Sequence, residues 1–200
     1  ALTKSDAKVI DSFDEVSAIG HRIVQGGSIY NGSCLITPEV LKDIDELGAL
    51  APLHNPANLL GVKACIKTFG EAKPQVAVFD TSFHQTMPAK AYMFPIPYKY
   101  YTDYKVRKYG AHGTSHRFVS ERCAEIMGKD KKDLKIITCH LGNGCSITAV
   151  NGGECVDTSM GFTPLDGFMM GSRSGTLDPS AVTYIAEKEN LSPADLNRIF

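Results

Sequence analysis

Lys135-Ile136-Ile137-Thr138-Cys139-His140-Leu141-Gly142-Asn143-Gly144-Cys145-Ser146-Ile147-Thr148-Ala149-Val150 reads as two strand-like runs joined by a glycine-flanked asparagine. Asn-Gly between such runs is a strong hairpin signal, because both residues accept the positive φ of a tight turn. Asn151-Gly152-Gly153 turns the chain again, into Glu154 to Thr158, so three successive antiparallel strands are expected. Upstream, a helix is expected from about Ser115 to Met127, closed by Gly128. Downstream, the chain is glycine-rich from Met160 until Asp178-Pro179, after which two helices follow, the second opened by Ser192-Pro193.

The N-terminal part mixes strands and helices in the same way. Val16 to Val24 is apolar and partly β-branched and runs into Gly26-Gly27, as a buried strand entering a loop does, with Arg22 near its end. Thr37-Pro38-Glu39 opens a helix, with Thr37 as N-cap and Pro38 at the first helical position. Asn55-Pro56 is expected to do the same for a helix to about Phe69, stopped by Gly70. Gln75 to Asp80 reads as a short buried strand ending in a carboxylate, at the strand end where open α/β sheets place ligand-binding groups. From His84 to Tyr109 the chain is rich in Pro and Tyr with little periodicity, and irregular structure or a domain junction is expected.

Bulk properties narrow the function. With 200 residues, 43% hydrophobic and 22% charged, this is a soluble globular chain of one large or two small domains. A net charge of -1, from 21 basic and 22 acidic residues, provides no global attraction for nucleic acid or an anionic membrane, so an anionic ligand must be met locally. No apolar run is long enough to span a bilayer, and Ala1-Leu2-Thr3-Lys4-Ser5-Asp6 lacks a signal-peptide stretch, which makes a cytoplasmic location the expectation. The six cysteines are scattered without a Cys-x-x-Cys, so reduced and mostly buried thiols are expected.

Several segments can carry chemistry. Glycines in Leu141-Gly142-Asn143-Gly144 can take positive φ and let a phosphate approach backbone N–H groups; the plain alternative is a hairpin turn with no ligand. Neither Gly-x-x-x-x-Gly-Lys nor Gly-x-Gly-x-x-Gly occurs, so phosphate binding, if present, uses another scaffold. Arg22 and Arg173 sit in glycine-flanked segments where a guanidinium fork can bind phosphate or carboxylate oxygens at two points, against the alternative of ordinary surface arginines. Two such arginines would form a clamp for phosphoryl transfer, whose transition state spreads negative charge over the equatorial oxygens. Among the six histidines, His112 and His116 share the spacing of a zinc-protease helix. Gly113 stands where that site needs a glutamate, and no further ligand cluster appears. A histidine donating to developing negative charge suits this segment better, while His84 and His116 equally fit structural histidines satisfied by local partners.

Taken together, these segments closely resemble the acetate kinase family, the short-chain carboxylate kinases of the acetate and propionate group within the actin-like ATPase fold. The matching stretches are Gly20 to Gly27, Leu50 to Asn58, Phe79 to Pro88, Tyr109 to His116, His140 to Ser146 and Asp157 to Gly175. The resemblance implies an α/β, ribonuclease H-like duplicated fold, with 1–82 as the end of the first domain and 83–200 as the start of the second. It implies in-line transfer of the ATP γ-phosphoryl to acetate, giving acetyl phosphate, with magnesium as cofactor, ATP or ADP as co-substrate, and a homodimeric enzyme. Arg22 and Arg173 would hold the acyl and phosphoryl groups, Asp80 would act near magnesium and substrate, and His112 would stabilise the transition state. His54 would be a secondary polar contact. Val24, Leu53, Ala111 and Pro164 would line the acyl pocket, and His140, Gly142, Asn143 and Gly144 would meet the ATP phosphates.

Two positions depart from the family pattern. Gln25 stands where a second histidine is usual, outside the catalytic positions. Ala111 stands where acetate kinases commonly carry Phe, which implies a roomier pocket and leaves propionate as an alternative acceptor. The resemblance also implies that the first phosphate loop, the adenosine loop and the magnesium ligands lie outside these 200 residues, so that this stretch alone would have little kinase activity. A non-catalytic actin-like nucleotide-binding module would keep Gly142 to Gly144 but would not need Arg22, Asp80, His112 and Arg173 together.

Overall fold

The computed structural model describes residues 2–4, 6 and 8–200, so Ala1 and Ser5 of the opening stretch lie outside the described residues. The chain divides into two compact units, 1–82 and 83–200.

In the first unit, β1 (Ile19–Ile23) runs parallel to β3 (Gln75–Phe79), and β2 (Cys34–Leu35) pairs antiparallel on the other side of β3. The alternation in β3 buries Gln75, Ala77 and Phe79 and leaves Val76 and Val78 half-buried, the period-two pattern of a strand. Helices α1 (Pro38–Glu46) and α2 (Asn55–Phe69) cover the sheet, and Ile23, Val40, Ile44, Leu59, Val62, Ala77 and Phe79 form the core. Thr37 caps α1 as expected, its Oγ1 accepting from Val40 N at 3.3 Å. β1 is shorter than Val16 to Val24, and upstream of it the chain turns as a 3-10 helix at Phe13–Glu15, whose N-terminus is closed by a Ser12/Glu15 capping box. His54, not Asn55, is the N-cap of α2. Asn55 is fully buried and braces the loop after β1, accepting from Gln25 N and donating to the carbonyls of Gln25 and Ile44.

In the second unit, β4 (Lys135–Leu141), β5 (Cys145–Asn151) and β6 (Glu154–Thr158) form the expected antiparallel meander. Asn151 pairs with Glu154, and Gly152 (φ 62) and Gly153 (φ 85) make the two-residue turn between them, a conformation that favours glycine at both places. The Gly142-Asn143-Gly144 turn differs: none of its residues is among the positive-φ positions, so its glycines serve close approach rather than turn geometry. Helix α5 (Gly113–Met127), closed by left-handed Gly128, lies against the face of β4 and β5 that carries Thr138 and Ser146.

The Pro/Tyr-rich segment is more ordered than its lack of periodicity implied. It holds a 3-10 turn at Ser82–Thr86 and two short helices, α3 (Ala89–Tyr92) and α4 (Lys99–Tyr104). These elements are too short to show a 3.6-residue pattern. The buried Arg107 organises them, its guanidinium 3.7 Å above the Tyr92 ring and 5.3 Å from Tyr109. The C-terminal helices α6 (Pro179–Glu189) and α7 (Pro193–Ile199) are capped by Asp178 and Ser192.

The cysteines are free, but only Cys155 is buried; Cys139 is exposed and the others are half-buried, which corrects the expectation of mostly buried thiols. Strand alternation explains the contrast, since Cys139 lies on the outer face of β4. Among the described residues no helix is long and apolar enough to cross a membrane.

Candidate active site

Each unit carries a cluster of polar residues at the ends of its strands. In the first, the parallel register pairs Arg22 with Val78 and Ile23 with Phe79, and Asp80 N donates to Ile23 O at 2.8 Å. Arg22 and Asp80 therefore emerge side by side at the C-terminal ends of neighbouring strands. Arg22 forks onto the carboxylate, Nε to Oδ1 at 3.0 Å and Nη2 to Oδ2 at 2.5 Å. Asp80's side chain is 2% exposed and that of Arg22 65%, so the buried carboxylate is neutralised from the solvent side. The hydrogen bond to Asp80 holds the guanidinium more firmly protonated than usual, burial acting in the opposite sense.

The loop that follows is fixed by α2. Val24 N donates to Asn58 Oδ1 at 3.1 Å, Gln25 N to Asn55 Oδ1 at 3.0 Å, and Gly26 N to Thr81 Oγ1 at 3.0 Å. A methyl on Gly26 would lie 2.9 Å from the Phe79 ring, which excludes any larger residue there. Gln25, outside the catalytic positions, is buried and accepts from Gly27 N at 2.9 Å. Leu53 and His54 project as exposed side chains at the start of α2.

In the second unit, His112 stands in the left-handed region (φ 59) immediately before α5. A histidine tolerates this conformation better than most residues, and such backbone is characteristic of functional sites. The preceding Gly110 (φ 75) leaves no room for a side chain, because a methyl there would lie 2.6 Å from His84 and 2.7 Å from Thr158. His84 is fully buried and its Nε2 donates to Ala111 O at 2.9 Å, tying this segment down. The His112 ring stacks on His140 at 4.0 Å and 22°, and His140 Nδ1 meets Ser115 Oγ at 2.9 Å.

The glycine turn lies against the second glycine-rich segment. A methyl on Gly144 would sit 3.0 Å from Arg173 Nη1 and 3.4 Å from His112 Nε2, so an imidazole and a guanidinium flank the same point beside the turn. A methyl on Gly171 would lie 2.8 Å from Asn143 Oδ1, and Asn143 Nδ2 reaches Ser172 Oγ at 3.4 Å. Arg173 Nη1 donates to Pro164 O at 3.1 Å, so Pro164 orients the guanidinium through its carbonyl. Ala111 is buried against Met160 and Met170, with Cys145 beside them.

The chemical sum is a set of anion-binding groups built on glycine-cleared turns. A profile described as the Acetokinase family matches residues 1–200. The chain belongs to the acetokinase family. An acetate kinase of Thermoanaerobacterium thermosaccharolyticum is 58% identical over 199 residues, 100% of this chain and 50% of its own length. One from Thermotoga maritima is 59% identical over 188 residues, 94% of this chain and 46% of its own length. This chain thus spans about half the length of the curated relatives it matches. The crystal structure of Porphyromonas gingivalis acetate kinase superposes with a TM-score of 0.93 at 47% identity, over 98% of this chain and 49% of that one. A propionate kinase from Francisella tularensis gives 0.88 at 50% identity, over 92% of this chain and 47% of its own. The α/β fold of this chain is accordingly the actin-like ATPase fold of those structures.

In this member of the family, the residues that sequence reasoning left unassigned are the braces. Asn55 and Asn58 were visible only as part of a helix start, and Ser146 and Thr138 as ordinary strand residues. His116 is 1% exposed, with Nδ1 2.8 Å from Thr138 Oγ1 and Nε2 2.7 Å from Ser146 Oγ. Burial, reinforced by the neighbouring imidazoles of His84, His112 and His140, pushes its pKa from 6.5 down to about 3. The unfolded chain therefore takes up a proton that the folded one refuses. Stability is intact above about pH 6.5 and falls progressively toward pH 3, by up to roughly 1.4 kcal/mol per pH unit. Urea unfolding between pH 7 and 4 should show this slope, and His116→Asn should flatten it. Superimposable acid limbs for the two proteins would contradict the assignment.

Proposed function

We propose that this chain is the central part of an acetate kinase, which moves the γ-phosphoryl of ATP to acetate and runs in reverse to make ATP. The observation that carries the reading is the point beside Gly144 flanked by His112 Nε2 and Arg173 Nη1. It joins a cation, a ring donor and glycine-freed backbone, the components phosphoryl transfer needs. One acetate oxygen attacks phosphorus in line as the bond to ADP breaks. Arg173 and His112 offset the charge that spreads over the equatorial oxygens, and the His140 to Gly144 turn receives the ATP phosphates. Arg22, held by Asp80, presents its remaining N–H groups to the carboxylate end of the acceptor. His54 is a secondary polar contact, and Val24, Leu53, Ala111 and Pro164 border the acyl group.

Magnesium is proposed to enter with ATP. Arg22 occupies one acceptor site on each oxygen of the almost fully buried Asp80, which is proposed to act near the ion and the acceptor. Among the described residues no group of three His, Cys, Asp or Glu could hold a metal. A cytoplasmic homodimer, implied by the family resemblance, completes the proposal.

Propionate is the alternative acceptor, favoured by Ala111 and by 50% identity to a propionate kinase structure. A coupled assay of the full-length protein with acetate, propionate and butyrate tests both. Acetate should be phosphorylated, and Ala111→Phe should sharpen its advantage over propionate by about 1–3 kcal/mol per methylene, or roughly 10- to 100-fold in kcat/KM. Equal or weaker discrimination by the variant would remove Ala111 from the acyl pocket, and failure of all three acceptors would remove the function itself.

A further inference from the structure

Ser146 is fully buried between two imidazoles, its Oγ 2.8 Å from His112 Nδ1 and 2.7 Å from His116 Nε2. A serine hydroxyl has one proton to give. With both contacts made it donates to one ring and accepts from the other, so the tautomers of His112 and His116 are linked. The far end of the chain sets the direction. His116 Nδ1 lies 2.8 Å from Thr138 Oγ1, whose own proton is directed to Thr148 O at 3.4 Å. Thr138 then accepts from His116 Nδ1–H, His116 Nε2 accepts from Ser146, and Ser146 accepts from His112 Nδ1–H.

We propose that Thr138, His116 and Ser146 are positioning residues that hold neutral His112 as its Nδ1–H tautomer, so that the ring meets a phosphoryl oxygen through Nε2 only as the imidazolium. The second half of this statement rests on the proposed kinase reading. Among the groups that face His112 are the stacked His140 from β4, His116 from α5 with His84 behind it, and Arg173 across Gly144. A phosphoryl group seated against Arg173 brings negative charge to Nε2, and the ring takes a proton from solvent there as the anion binds. His116 stays neutral because it is buried among the other imidazoles, so the direction of the relay is not inverted.

The test reads the ring nitrogens directly. Long-range proton–nitrogen spectra of the full-length protein labelled with 15N-histidine, with His112 assigned by its loss in His112→Asn, should show the bare nitrogen at ε2 near neutral pH. Thr138→Val removes the anchoring hydroxyl while keeping the shape, and should turn the relay around, moving the bare nitrogen of His112 to δ1; Thr138→Ser should retain the wild-type pattern. In kinetics, kcat/KM of the wild type should fall with rising pH as the imidazolium is lost, and this alkaline limb should weaken in Thr138→Val, where the neutral ring can donate. A bare δ1 nitrogen in the wild type, or identical spectra for Thr138→Val and Thr138→Ser, overturns the relay. If Thr138→Val inverts the tautomer but leaves the pH profile unmoved, the relay stands while its link to phosphoryl transfer, and His112's place in the kinase reading, are overturned.

Discussion

Arg173→Ala in the full-length protein should lower kcat by about 100- to 1000-fold, the loss expected when one preorganised donor is taken from a site of developing negative charge. The guanidinium is already aimed: Nη1 donates to Pro164 O at 3.1 Å and lies 3.0 Å from the point a Gly144 methyl would occupy. It is half-buried, so its charge is less screened than on the surface and acts without reorganisation. Arg173→Lys should restore only part of the rate, since a single ammonium cannot reproduce the planar fork. Circular dichroism separates this from misfolding, because Arg173 also braces its own loop, accepting from Met170 N through its carbonyl, a contact the substitution keeps. A folded Arg173→Ala protein within a few-fold of wild-type kcat would sink the clamp.

The second large effect is an asymmetry. Arg22→Ala should destabilise the protein by about 2–3 kcal/mol, because it strands a buried carboxylate. The value is set below that of fully buried pairs because Arg22 lies on the solvent side, 65% exposed against 2% for Asp80. Asp80→Ala should cost less, since it leaves a guanidinium that water can solvate. The double variant should recover much of the Arg22→Ala loss, so the coupling appears as non-additivity in denaturant unfolding. Equal costs for the two single variants, with strict additivity, would show that the fork in the structure does not bear on stability.

Much of the local architecture was legible in the chain. Thr37-Pro38, Asp178-Pro179 and Ser192-Pro193 marked helix starts that the structure contains, and Asn151-Gly152-Gly153 marked a turn whose glycines both take positive φ. These signals are readable because a cap or a tight turn is decided by a few adjacent backbone groups. The family was legible as well, because its motifs run through nearly the whole chain. Where the signal was short or shared, reading failed. Asn55 looked like a cap and is a buried brace to Gln25 and Ile44, while α3 and α4 were too brief to show a period.

What only the tertiary structure decided is who touches whom. The sequence by itself determined that glycine turns, two arginines in glycine-flanked segments and six histidines were present. The β4/β5 register, pairing Thr138 with Thr148 and His140 with Ser146, then placed hydroxyls beneath the His116 ring of α5. It is a non-local result: a one-residue slip would turn every one of those side chains to the opposite face, and no local propensity encodes that choice.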